Sequence, residues 1–296
     1  MRNNSKCPIC NSKKTRELYS SNIDILKLTF SYTRTPDNNK TFRVVKCCNC
    51  SHVFCSPIPK MFYKKYEKVT DKEYLKHKLA RKLTAREVLK LITKYYSCGR
   101  LLDVGCATGD FLLEAKKCGF SVEGLELSSW SSKIARSRGL KIHKKTLRAL
   151  SEKNKNSYDF ITMWGVIEHF ENPTSEMKYI NKLLKPNGIL ILWTGDINSL
   201  TSKIMGRRWW YWQGQHIQYF TKNSLNFLAS LSGFENIKTQ IYPFVANYEL
   251  LNNSLSRYRL HTVIIKFLWP LFLVRKQIIL RLPGEMLWFG KKISKK

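Results

Sequence analysis

Residues 101–112 constrain the fold of this chain more than any other stretch. An apolar run ends at Asp103, a turn bounded by Gly105 and Gly109 follows, and an apolar segment that suits a helix begins at Phe111. A strand, a tight turn and a helix in this order open a βαβ nucleotide-binding unit. Glycine lets the backbone approach a ligand closely, and the N-terminus of a helix offers unpaired N–H groups to it.

The charges around this turn favour S-adenosylmethionine over a dinucleotide. The third glycine of a dinucleotide-binding turn would stand at Asp110, where a carboxylate would repel a pyrophosphate. S-adenosylmethionine carries a sulfonium and an ammonium, and Asp103 suits the ammonium. Glu126 ends the next apolar run, 23 residues past Asp103, where a carboxylate is expected to accept from both ribose hydroxyls.

Two Cys-x-x-Cys pairs precede this stretch. Cys7 and Cys10 form the first pair, and Cys47 and Cys50 form the second. Together they predict a closed tetrahedral site for a structural Zn²⁺, with Cys48 as an alternative ligand. A polar segment this small needs such an ion to fold. All nine cysteines lie in the first 118 residues, and no apolar signal segment begins the chain, so we expect reduced thiols in the cytoplasm.

Further motifs give the chain a family resemblance. Glu168-His169 follows an apolar run, and Leu183-Leu184-Lys185-Pro186-Asn187-Gly188-Ile189-Leu190 precedes another. With the glycine turn, these stretches resemble class I S-adenosylmethionine-dependent methyltransferases of the ubiquinone-methyltransferase-like branch. The cysteine pairs and residues 215–220 resemble one subgroup, found with surface-polysaccharide and other small-molecule pathways. Ala107 in place of a glycine, Asn187 and Gly165 depart from the pattern.

The resemblance implies a Rossmann-like α/β fold with a mostly parallel seven-stranded sheet, a small zinc ribbon ahead of it and a C-terminal helical insertion. It places the S-adenosylmethionine site at Asp103, Gly105, Cys106, Ala107, Gly109, Phe111, Glu126, Leu127, Thr146, Leu147 and Trp164. The predicted segments are a four-cysteine zinc-ribbon-like module (1–58), a helical connector or lid (59–98), the methyltransferase core (99–245), an apolar and basic helical insertion (246–283), and the last core strand with a basic tail (284–296).

Three residues are candidates for catalysis. A methyl acceptor hydroxyl must lose its proton as it attacks, and His169 would lie at the carboxyl edge of the sheet, where ligands bind. Glu168 would orient a histidine or bind the acceptor. His216 is the second candidate base, and it follows four aromatics at 209–212 that we expect to face the substrate or a membrane. A capping histidine and a packed aromatic cluster are the alternatives.

The formal net charge of +31 predicts an anionic partner. Residues 262–274 are apolar, closed by Arg275-Lys276 and shorter than the roughly 20 residues that span a bilayer. They predict peripheral contact with an anionic membrane surface or a buried helix pair.

The predicted reaction is O-methylation of a small molecule or of a lipid-linked or surface glycan intermediate. C-methylation of a nucleotide sugar and zinc-assisted RNA methylation are alternative functions, and an inactive cofactor-binding subunit is a third class. Nucleic acid is the less favoured partner, because the positive charge is dispersed along the chain and an Asn-Pro-Pro-Tyr-type motif is missing. The sequence leaves the oligomeric state open.

Overall fold

The computed structural model describes residues 6–24, 28–33, 39–60, 62–256, 258, 261–274 and 277–293. The outer ends of the first and last predicted segments, residues 1–5 and 294–296, lie outside these ranges, as does the predicted basic pair Arg275-Lys276.

The cysteine-containing module is an antiparallel ribbon. Its strands are β1 (Thr15–Tyr19), β2 (Val44–Cys47) and β3 (Val53–Cys55). β1 pairs with β2 and β2 pairs with β3, which is consistent with the small zinc ribbon that the resemblance implies. Branched and aromatic residues suit a pleated, half-buried surface, and Val44, Val45, Val53 and Phe54 are all buried here.

The segment 59–98, predicted as a connector or lid, contains three helices among its described residues. Its helices are α1 (Phe62–Tyr66), α2 (Lys72–Lys76) and α3 (Lys78–Thr93). α2 begins where the Asp71 side chain accepts from the N–H of Tyr74. α3 buries Val88, Leu89 and Ile92 on one face, which packs against the core.

Alternating strands and helices build the core. In chain order they are β4 (Gly99–Val104), α4 (Asp110–Lys117), β5 (Phe120–Leu125), α5 (Ser129–Ser137), β6 (Lys141–His143), α6 (Leu147–Lys153), β7 (Tyr158–Trp164), α7 (Pro173–Leu183), β8 (Leu184–Gly195), α8 (Leu200–Met205), β9 (Gln218–Tyr219), α9 (Lys222–Leu231) and β10 (Phe234–Ile241). Local signals set the helix starts: Ser128 caps α5, and Asn172 caps α7 with Pro173 in its first turn.

The C-terminal part leaves the core and returns to it. It comprises β11 (Phe244–Ala246), α10 (Tyr248–Leu255), α11 (His261–Val274), β12 (Ile278–Leu280) and β13 (Glu285–Lys292). β11 pairs with β12, α10 packs on α11, and β13 is the last core strand that the sequence predicts. Among the helices of the described residues, none has both the length and the apolar character needed to cross a membrane.

The central sheet has seven strands in the order β10-β13-β8-β7-β4-β5-β6. β13 runs antiparallel to both of its neighbours, and β4 to β8 pair in parallel. The predicted Rossmann-like α/β fold is confirmed. The carboxyl ends of β4, β5 and β7 therefore meet at one edge of the sheet, where open α/β folds bind their ligands.

The ribbon is joined to the core through a strand that the sequence did not indicate. β9 pairs with β3, with Val53 opposite Tyr219 and Phe54 opposite Gln218. The ribbon sheet thereby gains a fourth strand, in the order β1-β2-β3-β9. Since β9 begins just after His216, the cysteine module is packed beside one of the candidate catalytic residues.

Candidate active site

The glycine turn after β4 has the geometry of a close-approach loop. Gly105 and Gly109 have φ values of +69° and +81°, and Ala107 has a φ of +46°. A Cβ on Gly105 would lie 2.7 Å from Cγ2 of Val166, and one on Gly109 would lie 2.3 Å from Cδ1 of Leu140. Both positions therefore require glycine for conformation and for space.

Asp103 is a buried carboxyl at the end of β4. The Thr162 hydroxyl donates to its Oδ1 at 2.6 Å. Burial raises the pKa of Asp103 to about 8, because a charged carboxylate is costly away from water. A cationic ligand group would stabilise the ionised form, so this carboxyl suits the ammonium of S-adenosylmethionine.

Glu126 stands past the end of β5 and faces the same turn. Its Oε2 accepts from the N–H of Ala107 at 2.8 Å, and its Oε1 accepts from the N–H of Ser128 at 2.7 Å. The phenol of Tyr32 also donates to Oε1, at 3.1 Å. Burial raises the pKa of Glu126. The sequence did not indicate a role for Tyr32 at this site, because Tyr32 lies 94 positions from Glu126 and belongs to no motif.

A cavity of about 1080 Å³ opens at this edge of the sheet. Most of the predicted cofactor residues line it: Asp103, Gly105, Cys106, Ala107, Phe111, Glu126, Leu127, Thr146, Leu147 and Trp164. Gly109 is not among the lining residues and instead turns the chain into α4. The volume slightly exceeds the range of about 300–1,000 Å³ for typical ligand pockets, so a cofactor and an acceptor both have room.

Asp110, the residue expected to repel phosphate, forms ion pairs with two arginines. It is buried and accepts from Arg81 at 2.6 Å and from Arg138 at 2.9 Å. Two ion pairs tie α3 and the loop before β6 to the start of α4. Asp110 therefore attaches the connector to the core beside the cofactor site. Because two arginines balance its charge, Asp110 repels a phosphate less than the sequence indicated.

Glu168, His169 and His216 come together beside the cofactor turn. One oxygen or ring nitrogen from each lies within 4.8 Å of the others. Glu168 is buried and accepts from the Thr194 hydroxyl at 3.1 Å and from the Tyr211 phenol. Burial raises the pKa of Glu168 to about 7. All three residues line the cavity, so the predicted catalytic candidates share one site with the cofactor residues.

The two histidines are held by backbone carbonyls. Nδ1 of His216 donates to the Tyr211 carbonyl at 2.7 Å, and Nδ1 of His169 donates to the Gln215 carbonyl at 2.8 Å. These bonds assign the proton to Nδ1 and the lone pair to Nε2 in each neutral ring. Burial lowers the pKa of His169 to about 4 and that of His216 well below its usual value. Both rings are therefore neutral at pH 7.

The aromatic run at 209–212 corrects an expectation. Trp209, Tyr211 and Trp212 are buried, and Trp210 is half-buried. Trp212 packs edge-on against Tyr19 of the ribbon, with ring centroids 5.2 Å apart. The run is accordingly a packed cluster between ribbon and core, and only Trp210 and Tyr211 line the cavity. The sequence could not indicate this, because the ribbon face that covers the cluster is distant in the chain.

Glu285, which the sequence analysis did not single out, holds one wall of the cavity. The indole N–H of Trp193 donates to its Oε2 at 3.0 Å, and that of Trp210 donates to its Oε1 at 2.7 Å. Tyr242 stacks on Trp193 with ring centroids 4.8 Å apart. The start of β13 thereby fixes three aromatic rings that line the cavity.

The four predicted cysteine ligands form a compact cluster. Sγ of Cys7 lies 3.5 Å from Sγ of Cys50, Sγ of Cys10 lies 3.5 Å from Sγ of Cys47, and all four sulfurs lie within 4.8 Å of one another. A disulfide would need about 2.05 Å, whereas four thiolates about 2.3 Å from a central ion are compatible with the observed spacing. Cys48 is exposed and lies outside the cluster, which removes it as the alternative ligand.

Fold and site together define a class I S-adenosylmethionine-dependent methyltransferase. The methyltransferase domain family (Methyltransf_23) matches residues 72–239, more than half of the chain, so the chain belongs to this family.

Curated relatives agree with this assignment over part of the chain. The ubiquinone biosynthesis O-methyltransferase of Vibrio cholerae is 33% identical over 95 residues, which are 30% of this chain and 39% of that protein. The enzyme of the same name from Bordetella avium is also 33% identical over 95 residues, with the same coverage. The chain thus matches about two fifths of the length of these relatives.

Solved structures share the fold. A S-adenosylmethionine-dependent methyltransferase from Archaeoglobus fulgidus superposes with a TM-score of 0.53 at 20% identity, covering 75% of this chain and all of that one. A methyltransferase from Thermotoga maritima, described as a possible histamine N-methyltransferase, has a TM-score of 0.50 at 21% identity, covering 74% of this chain and 94% of that one.

Proposed function

We propose that this protein transfers the methyl group of S-adenosylmethionine to an oxygen of a small molecule or of a lipid-linked or surface glycan intermediate. The observation that carries the proposal is the cavity that joins Asp103 and Glu126 to the Glu168–His169–His216 cluster. The cofactor is already activated as a sulfonium, so the protein mainly has to align the acceptor and accept its proton.

Two carboxyls would hold the cofactor. Asp103 would pair with the ammonium, Glu126 would accept from the ribose hydroxyls, and the turn at Gly105 and Ala107 would bring backbone N–H groups to the amino-acid part. Thr146 and Leu147 would border the adenine. This set of residues offers one carboxyl to the ammonium, a second carboxyl to the ribose and backbone donors to the carboxylate of the amino-acid part.

His216 is the base in our proposal. Its Nε2 carries the lone pair, because Nδ1–H is bound to the Tyr211 carbonyl. The neighbouring Glu168 carboxylate would stabilise the imidazolium that forms when Nε2 takes the hydroxyl proton. His169 is the second candidate base, with its Nδ1–H bound to the Gln215 carbonyl. Both rings line the cavity beside the cofactor turn.

We also propose that the four-cysteine cluster holds a structural Zn²⁺. Four thiolates close a tetrahedral site, so the ion would stabilise the ribbon and take no part in methyl transfer. The ring nitrogens of the candidate bases lie in the separate Glu168 cluster. Methyl transfer would therefore take place in the core and not at the zinc site.

A labelling experiment tests the reaction. The protein is incubated with S-adenosylmethionine carrying a ¹³C methyl group and with lipid, nucleotide-sugar and RNA fractions of a cell extract. We expect a methoxy ¹³C signal in the lipid or glycan fraction. A C-methyl signal in nucleotide sugars would support the alternative reaction, and label in RNA would overturn the acceptor class.

Two variants test the base. His216→Gln should lower kcat by about 10²–10⁴-fold, the usual contribution of a general base, with an unchanged Kd for the cofactor. His169→Gln is the matched variant and should have the smaller effect. Full turnover in both variants at saturating cofactor would exclude both histidines.

A further inference from the structure

The helix α11 is apolar on two opposite sides. Ile265 and Phe272 are buried on its inner side, in a cluster with Leu251 of α10. Val263 and Phe267, one turn apart on the outer side, are 64% and 83% exposed. A helix that is apolar all round is normally buried in protein or in lipid. The outer side of α11 therefore lacks the polar surface that contact with water would favour.

Apolar side chains of α11 and of neighbouring segments also line the cavity. Ile264 of α11, Leu282 before β13 and Met205 of α8 all line the cavity, and the first two are exposed. The Thr201 hydroxyl of α8 donates to the Pro283 carbonyl, which attaches α8 to the segment before β13. We call the exposed apolar side chains of α8, α11, β12 and the segment before β13 the apolar rim: Leu200, Ile204, Val263, Ile264, Phe267, Trp269, Leu271, Ile279 and Leu282.

The length of α11 limits what the apolar rim can contact. Fourteen residues at about 1.5 Å each extend about 21 Å, short of the roughly 30 Å of a bilayer core. A helix of this length does not span the bilayer, but its outer side can contact a lipid surface while its inner side packs on α10.

The charges beside the apolar rim favour an anionic surface. Lys203 follows Thr201 in α8, Lys266 stands between Val263 and Phe267, and Arg208 lies next to Tyr258, whose phenol donates to the Arg208 carbonyl. All three basic side chains belong to exposed residues. With a net charge of +31 on the whole chain, the protein is attracted to a negatively charged bilayer.

We propose that the apolar rim docks on an anionic lipid bilayer and that the cavity takes the apolar chain of an amphiphilic acceptor from it. The second half rests on the proposed methyl transfer and narrows its acceptor class, whereas the docking does not depend on any reaction. Ile264 and Leu282 are exposed and also line the cavity, so they would give an acceptor chain an apolar path from lipid to the site.

Vesicle co-sedimentation without cofactor tests the docking. The full chain should bind vesicles of phosphatidylcholine with 30% phosphatidylglycerol at low salt, bind less at high salt, and bind phosphatidylcholine alone at least tenfold more weakly. Phe267→Ser combined with Leu271→Ser should reduce binding at least tenfold. Ile237→Ser, which removes a 50%-exposed side chain from β10, should leave binding unchanged. Unchanged far-ultraviolet circular dichroism and melting temperature show that each variant is folded.

Other results overturn the docking. Equal sedimentation of the rim variant and the wild type would place the contact elsewhere. Failure of the wild type to bind, together with a dimer in sedimentation equilibrium that the rim variant breaks, would assign the apolar rim to a second copy of the chain.

Calorimetry with dodecyl phosphate, and with inorganic phosphate as the control, tests the cavity. Binding of the first probe only, retained by the rim variant, supports a chain-binding cavity. Failure of dodecyl phosphate to bind would exclude an amphiphilic acceptor. Binding of S-adenosylmethionine, measured separately, would still test the proposed function.

Discussion

The phenolic oxygen of Tyr32 lies 3.1 Å from Oε1 of Glu126, so the ribbon module reaches the carboxylate expected to hold the ribose. The loop that carries Tyr32 is fixed by Asp71, which accepts from the N–H and the hydroxyl of Thr33, each at 2.8 Å. A carboxylate has about four acceptor positions, and Glu126 already uses three. Two ribose hydroxyls need two positions, and the Tyr32 phenol is the only one of these three donors on a movable side chain.

We therefore expect Tyr32 to release Glu126 when the cofactor binds. Tyr32→Phe should lower the Kd for S-adenosylmethionine by about 2–10-fold, since a competing hydrogen bond of about 0.5–1.5 kcal/mol is lost from the free protein. Isothermal titration calorimetry measures this, with Tyr95→Phe, an exposed tyrosine outside the cavity lining, as the control. A tenfold higher Kd would instead mean that Tyr32 belongs to the bound site.

Cofactor binding should release a proton from Asp103. Its pKa of about 8 keeps it protonated at pH 6.5, and the ligand ammonium favours the ionised form. About one proton should be released per cofactor bound at pH 6.5, and less above pH 8, where the group is already ionised. Calorimetry in two buffers of different ionisation enthalpy measures this release.

Asp103→Asn is the matched change for that measurement. The proton release should disappear and the Kd should rise about 10–100-fold, because a charge-assisted bond of about 1.5–3 kcal/mol is lost. Release that persists in this variant would assign the proton to another group.

The pH profile of the reaction should report Glu168. With a pKa of about 7, this carboxyl is neutral below pH 7 and can stabilise an imidazolium only above it. The kcat/KM for the acceptor, measured at saturating cofactor so that Asp103 is already ionised, should therefore rise towards pH 7 and level off. Because the pKa values of both histidines are lowered by burial, they should add no limb near pH 6.5. Glu168→Gln should remove the limb and lower kcat/KM at pH 8.

Glu176 provides the control for this profile. Burial also raises its pKa to about 7, and it lies on α7 outside the Glu168 cluster. Glu176→Gln should keep the limb. If the rise in kcat/KM persists in Glu168→Gln and disappears in Glu176→Gln, Glu176 causes it and the assignment to Glu168 is wrong.

The sequence predicted the parts of the fold that local signals determine. The glycine turn and the alternation of apolar runs sufficed for the core sheet. The cysteine spacing sufficed for the cluster. Each of these features is encoded within a few residues, or in side-chain types that have few other uses.

Contacts between distant segments were not predictable in the same way. β9 is two residues long and has no periodicity, and it forms only because β3 offers a free edge. Tyr32 reaches Glu126 across 94 positions, and the run at 209–212 is buried by a ribbon face far away in the chain. Such contacts depend on how the ribbon packs on the core, and local sequence patterns do not specify that packing.

Variants of the cysteine cluster test whether it binds Zn²⁺ and whether the ribbon supports the active site. Cys47→Ser should remove one Zn²⁺ per chain, measured by elemental analysis, because it deletes a ligand of a closed site. The neighbouring Cys48→Ser should keep the metal, since Cys48 is exposed and outside the cluster. Cys47→Ser should also lower turnover at least tenfold: β3 pairs with β9, and Cys55 of β3 contacts the His216 carbonyl, so a melted ribbon releases the candidate base. A chelator should reproduce both losses in the wild type, and full activity of metal-free protein would separate the ribbon from the active site.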